Sequence, residues 1–543
     1  MTKKASSIRV GHRYRPSRVD EHYDAIIIGS GPSGLSASAC LSQMGKKVAC
    51  LEQHYTAGGF THAYERAGFE WDVGVHFMND VATPGTFPRK LFDFISEERI
   101  KWRAMGEEKI LLNIGDNPQR ILTMQAEKDK ATLTALFPNE STAINQIYAH
   151  SMKLINRAMP IMLMVRLCGG GVIGSMLAKS LTKLLPKDLL RPCNDVLRRF
   201  TSNKHLIAML STTWVASGTP PDRVSYLMIA GTHVNNNPMG FPIGGSREIA
   251  KSIIPVIQKS GGELFTYAKV EEVLISNGKA LGVRMADGHE IRSDVVISTA
   301  GVNNTFKHLV PTKVAEGCGY LQKLGELSRS VAHFNLFVGF DGSNEDLGLT
   351  DAEHFIFPSE DYGVDARAFD ADLNAPLPFL YVTFASAKDS TWAERYPGKS
   401  TASIFFYTDN FKHFAKWRHE TWEQRGVEYD EMKKKISNRV LETLFTQYPH
   451  LRERVAYTEL STPLSTRHFC MYERGEIYGL VHDERRLQQS WLRPATAIKN
   501  LFLAGQDTLL LGHTTGVMSG ALAAANVLGL KQALSLMKRI RNA

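Results

Sequence analysis

Paired cysteines, an early apolar segment and long apolar runs are all absent from this sequence of 543 residues. Its six cysteines form no C-x-x-C pair, which argues against zinc or another metal site and against a disulfide framework. A reduced intracellular compartment fits this pattern. No run of about 18 uninterrupted apolar residues occurs, so no transmembrane helix is predicted.

Acidic residues are absent before Asp20, whereas basic residues are frequent there. We call this segment the basic arm, and its basic residues are Lys3, Lys4, Arg9, Arg13, Arg15 and Arg18. No apolar core follows, so a secretory signal is not expected. The arm could be solvated and disordered, or it could rest on anionic lipid, where each basic residue contributes about 1 kcal/mol. The net charge of +9 agrees with both interpretations, and no motif supports a nucleic-acid partner.

The composition, with 43% apolar and 22% charged residues, is that of an ordinary globular protein. The length suggests two or three domains. Residues 85–230 look mostly helical, residues 330–410 look rich in strands, and a charged helix is expected from His413 to Gln447. The pair Asp287-Gly288 is a turn signal that could join two strands in a hairpin.

A strand, a tight turn and a helix are predicted near the start of the chain. The apolar run Ala25 to Ile28 suits a buried parallel strand, and a helix should follow from about Ser33 to Met44. Between them stands a G-x-G-x-x-G motif: Gly29-Ser30-Gly31-Pro32-Ser33-Gly34. Its glycines permit the turn, the approach of a pyrophosphate and close packing of helix on strand. Glu52, at the end of the next strand, has the position of a ribose-binding acid, so the motif predicts a dinucleotide site.

Two further segments favour FAD over NAD. The first is Ala57-Gly58-Gly59, which offers bare backbone close to the phosphates and ribitol. The second is a strand, Leu501 to Leu503, followed by Gly505, Asp507, Thr515, Gly516 and an alanine-rich helix. The N-terminus of that helix could stabilise negative charge on a flavin. Asp507 could hold a ribitol hydroxyl or could be a turn or capping aspartate.

A second G-x-G-x-x-G match runs from Gly169 to Gly174. No partner strand with a terminal acid follows it, so we predict a single nucleotide site. NAD(P)H, or another external reductant or acceptor, would then act without a dedicated Rossmann site. A helical hairpin or a surface that faces a membrane is the preferred interpretation of this glycine run.

Several blocks together resemble one family. They are Glu52-Gln53-His54, Ala57-Gly58-Gly59, Gly68-Phe69-Glu70-Trp71-Asp72-Val73-Gly74-Val75-His76, Gly240-Phe241-Pro242-Ile243-Gly244-Gly245, Val296-Ile297-Ser298-Thr299-Ala300-Gly301 and Arg474-Gly475-Glu476-Ile477-Tyr478-Gly479. This pattern resembles the retinol saturase family (all-trans-retinol 13,14-reductases), sister to carotenoid isomerases and bacterial phytoene desaturases. The blocks touch nearly the whole chain and do not fix the substrate.

The motifs and the resemblance imply an α/β fold with a Rossmann-type, glutathione-reductase-like FAD-binding domain and an inserted α+β substrate domain. The FAD-binding domain would comprise residues 20–100, 225–310 and 495–540. The substrate domain would comprise residues 101–224 and 311–494.

The resemblance implies an FAD-dependent oxidoreductase that saturates, desaturates or isomerises carbon–carbon double bonds of a long polyene, isoprenoid or fatty acyl substrate. The alternatives are an amine-oxidase-like flavin oxidase and a non-enzymatic flavin-binding protein. The expected cofactor contacts are Gly29, Ser30, Gly31, Pro32, Ser33, Gly34, Glu52, Gln53, Gly58, Gly59, Val75, His76, Val270, Gly505, Asp507, Thr515, Gly516 and Val517. The candidate catalytic residues are His76, Glu476, Arg474, Tyr478 and His513.

Each candidate also has a structural interpretation. His76 could be satisfied by backbone groups, the block from Arg474 to Tyr478 could be a turn, and His513 could cap a loop.

The apolar stretch from Met159 to Leu185 is interrupted by Arg166, Lys179 and Lys183. It could be ordinary core, or it could line a tunnel mouth that dips into lipid. We therefore expect a membrane-contacting part near residues 150–190, with the protein cytoplasmic and peripheral on the inner face of a membrane. The oligomeric state stays open.

Overall fold

The computed structural model describes residues 8–107 and 109–543, so Lys3 and Lys4 of the basic arm lie outside the described residues. The strands are β1 His12–Arg13, β2 His22–Ile28, β3 Val48–Leu51, β4 Ala63–Arg66, β5 Phe69–Asp72, β6 Trp102–Ala104, β7 Ile110–Ile114, β8 Arg120–Leu122, β9 Gly240–Pro242, β10 Glu263–Thr266, β11 Val270–Ser276, β12 Lys279–Met285, β13 Glu290–Ser298, β14 Ala332–Asp341, β15 Glu353–Phe357, β16 Leu380–Thr383, β17 Lys399–Thr408, β18 Val455–Ser461 and β19 Leu501–Leu503.

The α-helices are α1 Pro32–Gln43, α2 Phe87–Ser96, α3 Ala126–Leu136, α4 Ser141–Leu167, α5 Gly171–Thr182, α6 Lys187–Leu190, α7 Cys193–Leu197, α8 Lys204–Ser211, α9 Tyr226–Ala230, α10 Arg247–Gln258, α11 Val302–Asn304, α12 Thr312–Gly317, α13 Tyr320–Gly325, α14 Tyr362–Ala371, α15 Ala385–Lys388, α16 Trp392–Arg395, α17 Val427–Gln447, α18 Pro463–Cys470, α19 Glu484–Leu487 and α20 His513–Asn542. Short 3₁₀ and π segments join several of them.

The first sheet contains the predicted dinucleotide-binding strands. Strands β1, β10, β3, β2, β13 and β19 are parallel in that order, and β12 and β11 extend β13 as an antiparallel meander. Ala25 and Ile27 of β2 pack with α1, α10 and α20, whereas Ile26 and Ile28 pack on the opposite face. Burial of both faces of the sheet explains why the sequence of β2 is a continuous apolar run. The predicted hairpin at Asp287-Gly288 is confirmed as the β12–β13 connection.

The second sheet has seven strands in the order β18-β14-β17-β16-β15-β7-β8. Only the β15–β7 pair is parallel among these strands. Helices α3, α4 and α6–α9 pack on this sheet through one large apolar cluster. A Rossmann-type sheet joined to a mixed sheet with helices is the predicted fold class. The borders proposed between the two domains stay a prediction.

One local prediction is confirmed and one is partly wrong. Residues 85–230 are mostly helical, as predicted, although β6, β7 and β8 lie within residues 102–122. Strand β6 pairs with β9 and β7 pairs with β15, both more than a hundred residues away in the sequence, so no local pattern reveals them. The charged helix begins at Val427 rather than His413, and a 3₁₀ segment, Phe411–Trp417, precedes it.

Helix α20 is long and apolar enough to cross a membrane by length and composition, with a mean hydropathy of 1.2 over its best window. Its first half packs on α1, where the Ser36 hydroxyl donates a 2.7 Å hydrogen bond to the Val517 carbonyl. Gly529 has a φ of 70°, which bends the element there. The first half of α20 is thus part of the packed core of the first sheet.

Candidate active site

A continuous cavity of about 2050 Å³ lies between the two sheets. Ligand cavities for small molecules usually measure about 300–1,000 Å³, so this one has room for a cofactor together with a second long molecule. Its lining includes the glycine-rich turn after β2 and the start of α20. It also includes Ile155, Met159 and Leu163 of α4.

The glycine-rich turn has the geometry that a pyrophosphate requires. At Gly34 an added Cβ would overlap the Gly29 carbonyl oxygen, so only glycine lets α1 start so close to β2. At Gly31 an added Cβ would meet nothing within 4 Å, because this backbone borders the open cavity. Gly31 is the N-cap of α1 and no side chain caps it, which leaves the first amide groups of α1 available to an anion.

Glu52 is fixed at the end of β3. Its Oε2 accepts hydrogen bonds from the backbone nitrogen and the hydroxyl of Ser30, at 2.9 and 2.7 Å. Its Oε1 accepts from the backbone nitrogen of His54 at 2.8 Å. Gly58 in turn donates to the Ser30 hydroxyl at 3.1 Å. The acid therefore borders the cavity in one fixed orientation, beside the turn, as a ribose-binding acid should.

The start of α20 supplies the other cofactor wall. Gly505, Thr515 and Gly516 line the cavity, and Gly512 at the N-cap of α20 has no capping side chain. Two helix N-termini, of α1 and α20, thus open into the same space, which suits the negative charges of a pyrophosphate and of a flavin ring. The residues present fit FAD.

Asp507 faces away from the cavity. Its Oδ2 accepts from the backbone nitrogen of Val302 and its Oδ1 from that of Leu480, both at 2.9 Å. The residue is only 2% exposed and is not among the lining residues described. Asp507 therefore ties two loops together, as a turn aspartate does, and its contact with a ribitol hydroxyl stays a prediction.

His76 lies on the cavity wall between two aromatic rings. Its ring is stacked on Phe405 at 5.0 Å between centroids and lies 5.2 Å from Tyr381. In the described part of the chain its ring nitrogens have no hydrogen-bond partner. Burial, followed by the positive charge of Lys388 and the nearby His513 and His333, holds the pKa of His76 well below its usual range. Burial thus favours the neutral form of His76, in which one of the two ring nitrogens can accept a proton.

His513 and Tyr478 also reach the cavity. The Nε2 of His513 lies 2.8 Å from the Gly74 carbonyl, and burial lowers the pKa of this histidine. The hydroxyls of Tyr478 and Tyr407 are 3.0 Å apart, and Tyr407 donates to the Val215 carbonyl. Burial raises the pKa of Tyr478 to about 12, so its phenol stays protonated.

Glu476 and Arg474 form a turn rather than part of the cavity wall. The Glu476 Oε2 accepts from the Arg474 backbone nitrogen at 2.9 Å, and the Arg474 guanidinium donates to the Asp409 carbonyl at 2.7 Å. Neither residue is among the lining residues described. The prediction of a catalytic cluster here is therefore not supported, and burial is the cause of the raised pKa of Glu476.

The predicted residues divide into two sets. Those that line the cavity are Gly29, Gly31, Pro32, Ser33, Glu52, Gln53, Gly59, His76, Val270, Tyr478, Gly505, His513, Thr515 and Gly516. Those that are not among its described lining residues are Ser30, Gly34, Gly58, Val75, Arg474, Glu476, Asp507 and Val517.

Sequence reasoning missed the residues that the second sheet contributes. His333, Asn335 and Phe337 alternate along β14 and face the cavity, together with Tyr381 of β16 and Phe405 of β17. His333 is 5% exposed, its Nδ1 has no partner in the described residues, and burial lowers its pKa to about 4. The alternation of β14 is visible in the sequence, but the face that meets the cavity depends on the sheet register.

The second glycine run opens a helix without a preceding strand. Helix α4 ends at Leu167 and α5 begins at Gly171, so a helix stands where a Rossmann unit needs a strand. The predicted helical hairpin is present, and none of the residues Gly169 to Gly174 is among the lining residues described. The prediction of a single nucleotide site remains a prediction.

Comparisons with known proteins agree with this geometry. The profile of NAD(P)-binding Rossmann-like domains matches residues 27–95, and that of flavin containing amine oxidoreductases matches residues 209–528. A solved oxidoreductase from Methanosarcina mazei has the same fold, with a TM-score of 0.59, 18% identity and coverage of 91% of this chain and 99% of that one. The chain belongs to the flavin containing amine oxidoreductases, and it is an FAD-dependent oxidoreductase.

Sequence relatives narrow the family. The all-trans-retinol 13,14-reductase of Danio rerio is 32% identical over 97% of this chain and 90% of its own length. The chloroplastic prolycopene isomerase of Daucus carota is 25% identical over 94% of this chain and 81% of its own length. Within the larger class, the chain belongs to the all-trans-retinol 13,14-reductase family.

Proposed function

We propose that this protein uses FAD to act on carbon–carbon double bonds of a long hydrophobic polyene, isoprenoid or acyl chain. One observation carries the proposal: a single cavity is lined both by the predicted flavin-binding residues and by apolar side chains of α4, among them Ile155, Met159 and Leu163. The relatives named for retinol and prolycopene act on polyenes, which favours a polyene over an acyl chain.

The residues of the cavity wall would orient the substrate, exclude water and accept or donate a proton. FAD, held by the glycine-rich turn and the start of α20, would supply hydride transfer to or from carbon. Tyr381 and Phe405 confine an extended apolar substrate against His76 and exclude water. Neutral His76 would accept the proton released when a double bond forms, and in the reductive direction the protonated imidazole would donate it to carbon. His333, Tyr478 and His513 complete the polar part of this wall.

The test uses holoprotein whose flavin has been reduced with light in the absence of oxygen. All-trans-retinol, a poly-cis carotene and an unsaturated acyl chain are mixed with it in turn, while the flavin spectrum and the products are followed. Saturation reoxidises one flavin for each double bond reduced. Isomerisation changes the geometry of the double bonds while the flavin stays reduced.

Desaturation would instead bleach the oxidised holoprotein. Each of these results supports the proposal and assigns the direction of the reaction. If every polyene and acyl chain is left unchanged while a primary amine bleaches the oxidised flavin, the protein is an amine oxidase and the proposal is wrong.

We further propose that the protein is cytoplasmic and binds the inner face of a membrane through α5 and the end of α4. Ile173, Val172 and Met176 are 84%, 76% and 66% exposed, which is unusual for adjacent large apolar side chains. Met159 and Leu163 are also exposed and line the cavity, so a substrate could pass from lipid into it. Exposed Arg9, Arg13, Arg15 and Arg18 offer a second, electrostatic signal.

Sedimentation with vesicles tests this proposal. Wild-type holoprotein should bind anionic vesicles, and high salt should weaken but not abolish the binding, because screening removes only the electrostatic part. Ile173→Asp with Met176→Asp should lose most of the salt-resistant binding, since apolar burial contributes about 25 cal/mol per Å².

The matched control carries Val364→Asp and Val427→Asp, at positions 56% and 74% exposed but on other helices, and should bind as wild type does. Equal binding to neutral and anionic vesicles would show that the basic arm does not contribute to membrane binding. A wild-type protein that sediments with neither would refute membrane contact.

A further inference from the structure

Part of the basic arm is packed along the edge of the first sheet. Strand β1 lies in the segment from Ile8 to Tyr14, which we call the strap, and it pairs in parallel with β10. Ile8 is only 5% exposed. At Gly11 an added Cβ would lie 2.8 Å from side-chain atoms of Leu264 and Thr266, so the strap runs closely against β10. The strap is therefore a packed part of the fold.

Two loops that line the cavity follow the carboxyl ends of β3 and β10. The β3 loop contains Glu52 and His54, and the β10 loop contributes Ala268 to Glu271. The two loops are bonded to each other, because the Tyr267 nitrogen donates to the His54 carbonyl at 2.9 Å and the Ala268 nitrogen donates to the Glu52 carbonyl at 2.7 Å. Glu52 is the predicted ribose-binding acid, so these loops form the wall where the adenosine half of FAD is expected.

The strap is hydrogen-bonded to both loops. On the side of the β3 loop, the Val10 nitrogen donates to the Thr56 hydroxyl and the Val10 carbonyl accepts from the Ala57 nitrogen, both at 2.9 Å. On the side of the β10 loop, the Tyr14 nitrogen donates to the Thr266 carbonyl at 2.8 Å. The strap thus holds the two loops from outside the cavity.

Two arginines of the strap lie over tyrosine rings of the same loops. The Arg9 guanidinium lies 5.3 Å from the centre of the Tyr55 ring, and Tyr55 lines the cavity. The Arg13 guanidinium lies 4.5 Å from the centre of the Tyr267 ring. A cation within about 6 Å of a ring centre is attracted by the negative face of the ring. Each loop therefore has a side-chain contact with the strap in addition to the backbone contacts.

The bond to Ala57 also affects the glycine-rich turn, through the two glycines that follow. The Gly58 nitrogen donates to the Ser30 hydroxyl at 3.1 Å. At Gly59 an added Cβ would lie 2.9 Å from the Gly31 Cα, so the glycine doublet packs directly on the turn. Movement of Ala57 would therefore shift the backbone beside the expected pyrophosphate position.

We propose that the strap is part of the FAD site, and that Arg9 and Val10 are positioning residues that keep FAD bound. Neither residue is among the lining residues described, so both act through Tyr55, Thr56 and Ala57. Because the strap lies at the edge of the sheet, it can detach without unfolding of the core. Loss of the strap should therefore speed the release of FAD from a protein that stays folded. The inference concerns cofactor retention and holds whatever the substrate is.

The release of FAD from holoprotein tests the inference. Holoprotein is diluted at a temperature well below unfolding, and the rise in flavin fluorescence gives the release rate. Val10→Pro removes the N–H group that Thr56 accepts and should release FAD about 2 to 10 times faster, the range expected for one intramolecular hydrogen bond. Deletion of residues 2–11 removes more of these contacts and should accelerate release by more than about tenfold.

Each change has a matched control. Tyr14→Phe removes a hydrogen bond of the same strap, but to Asp287 in the β12–β13 turn, which is not among the lining residues described. Deletion of residues 2–7 shortens the chain and leaves the strap in place. Both controls should release FAD at the wild-type rate.

Hydrogen exchange of the holoproteins separates positioning from a general loss of stability. In Val10→Pro the backbone amides of the β3 and β10 loops should exchange faster, whereas those of β14 and β17 in the second sheet should exchange as in wild type. A general loss of stability would instead speed exchange in both sheets.

If the deletion of residues 2–11 does not fold, Val10→Pro decides the question alone. Release at the wild-type rate in Val10→Pro would overturn the inference. Faster exchange throughout both sheets would also overturn it, and so would a deletion of residues 2–7 that releases FAD as fast as Val10→Pro does. Inactivity of the wild type on every polyene would leave these results unaffected and would count only against the proposed function.

Discussion

The Gly31→Val protein is expected to purify folded but colourless. An added side chain at Gly31 meets no protein atom within 4 Å, so valine should not disturb the turn itself. The side chain would instead occupy the place where the backbone meets the pyrophosphate. Visible flavin absorbance per protein, and FAD released on denaturation, should fall to near zero, while circular dichroism stays that of the wild type.

Gly317→Val is the matched control. An added side chain there also meets nothing within 4 Å, and the residue lies at the end of α12 away from the described cavity wall. This protein should keep its full flavin content. A Gly31→Val protein as yellow as the control would refute the assignment of the pyrophosphate site.

His76→Asn should retain FAD and lose turnover by a factor of about 10²–10⁴, the usual effect of removing a positioned acid–base group. The pKa of His76 lies well below its ordinary value, so the neutral form prevails at neutral pH. A reaction in which His76 accepts the proton should therefore reach a plateau as pH rises. A reaction in which His76 gives the proton should slow about tenfold for each pH unit above that pKa.

Single-turnover reduction or reoxidation of the flavin with the active polyene, from pH 5 to 9, measures both effects. His419→Asn, at an exposed position of the 411–420 segment, is the control and should keep the wild-type rate. Unchanged single-turnover rates in His76→Asn would place the proton site elsewhere, with His333 and Tyr478 as the next residues to replace.

The glycine-rich turn and Glu52 could be predicted because these parts of the cofactor site are local. Turn, helix start and terminal acid follow one another from Gly29 to Glu52, and each has its own steric reason. The contacts of Asp507 and Glu476 could not be predicted. The sequence around an acid next to a flavin motif is the same whether the acid binds the cofactor or accepts a hydrogen bond from a backbone amide. Their partners, Val302, Leu480 and Arg474, are fixed only by the assembled loops.

The residues of the cavity wall from the second sheet could not be predicted from the sequence for a related reason. His333, Tyr381 and Phe405 come from three strands, and only the pairing of β14 with β17 and of β17 with β16 brings them to one face. The register between strands that are distant in the sequence decides which of the two faces of a strand lines the cavity. The periodicity within one strand does not contain that information.

The contact between α1 and α20 also determines when, during synthesis of the chain, the flavin pocket can be completed. Ser36 and Val517, which join these helices, are 481 positions apart, so the flavin pocket lacks a wall until α20 has left the ribosome. At the usual speed of translation this interval is on the order of a minute. During that time the first strands and α1 have been synthesised, but the helix that covers them has not. Flavin capture is therefore a late, post-translational event in the life of this protein, and a chain that stops before α20 should never become yellow.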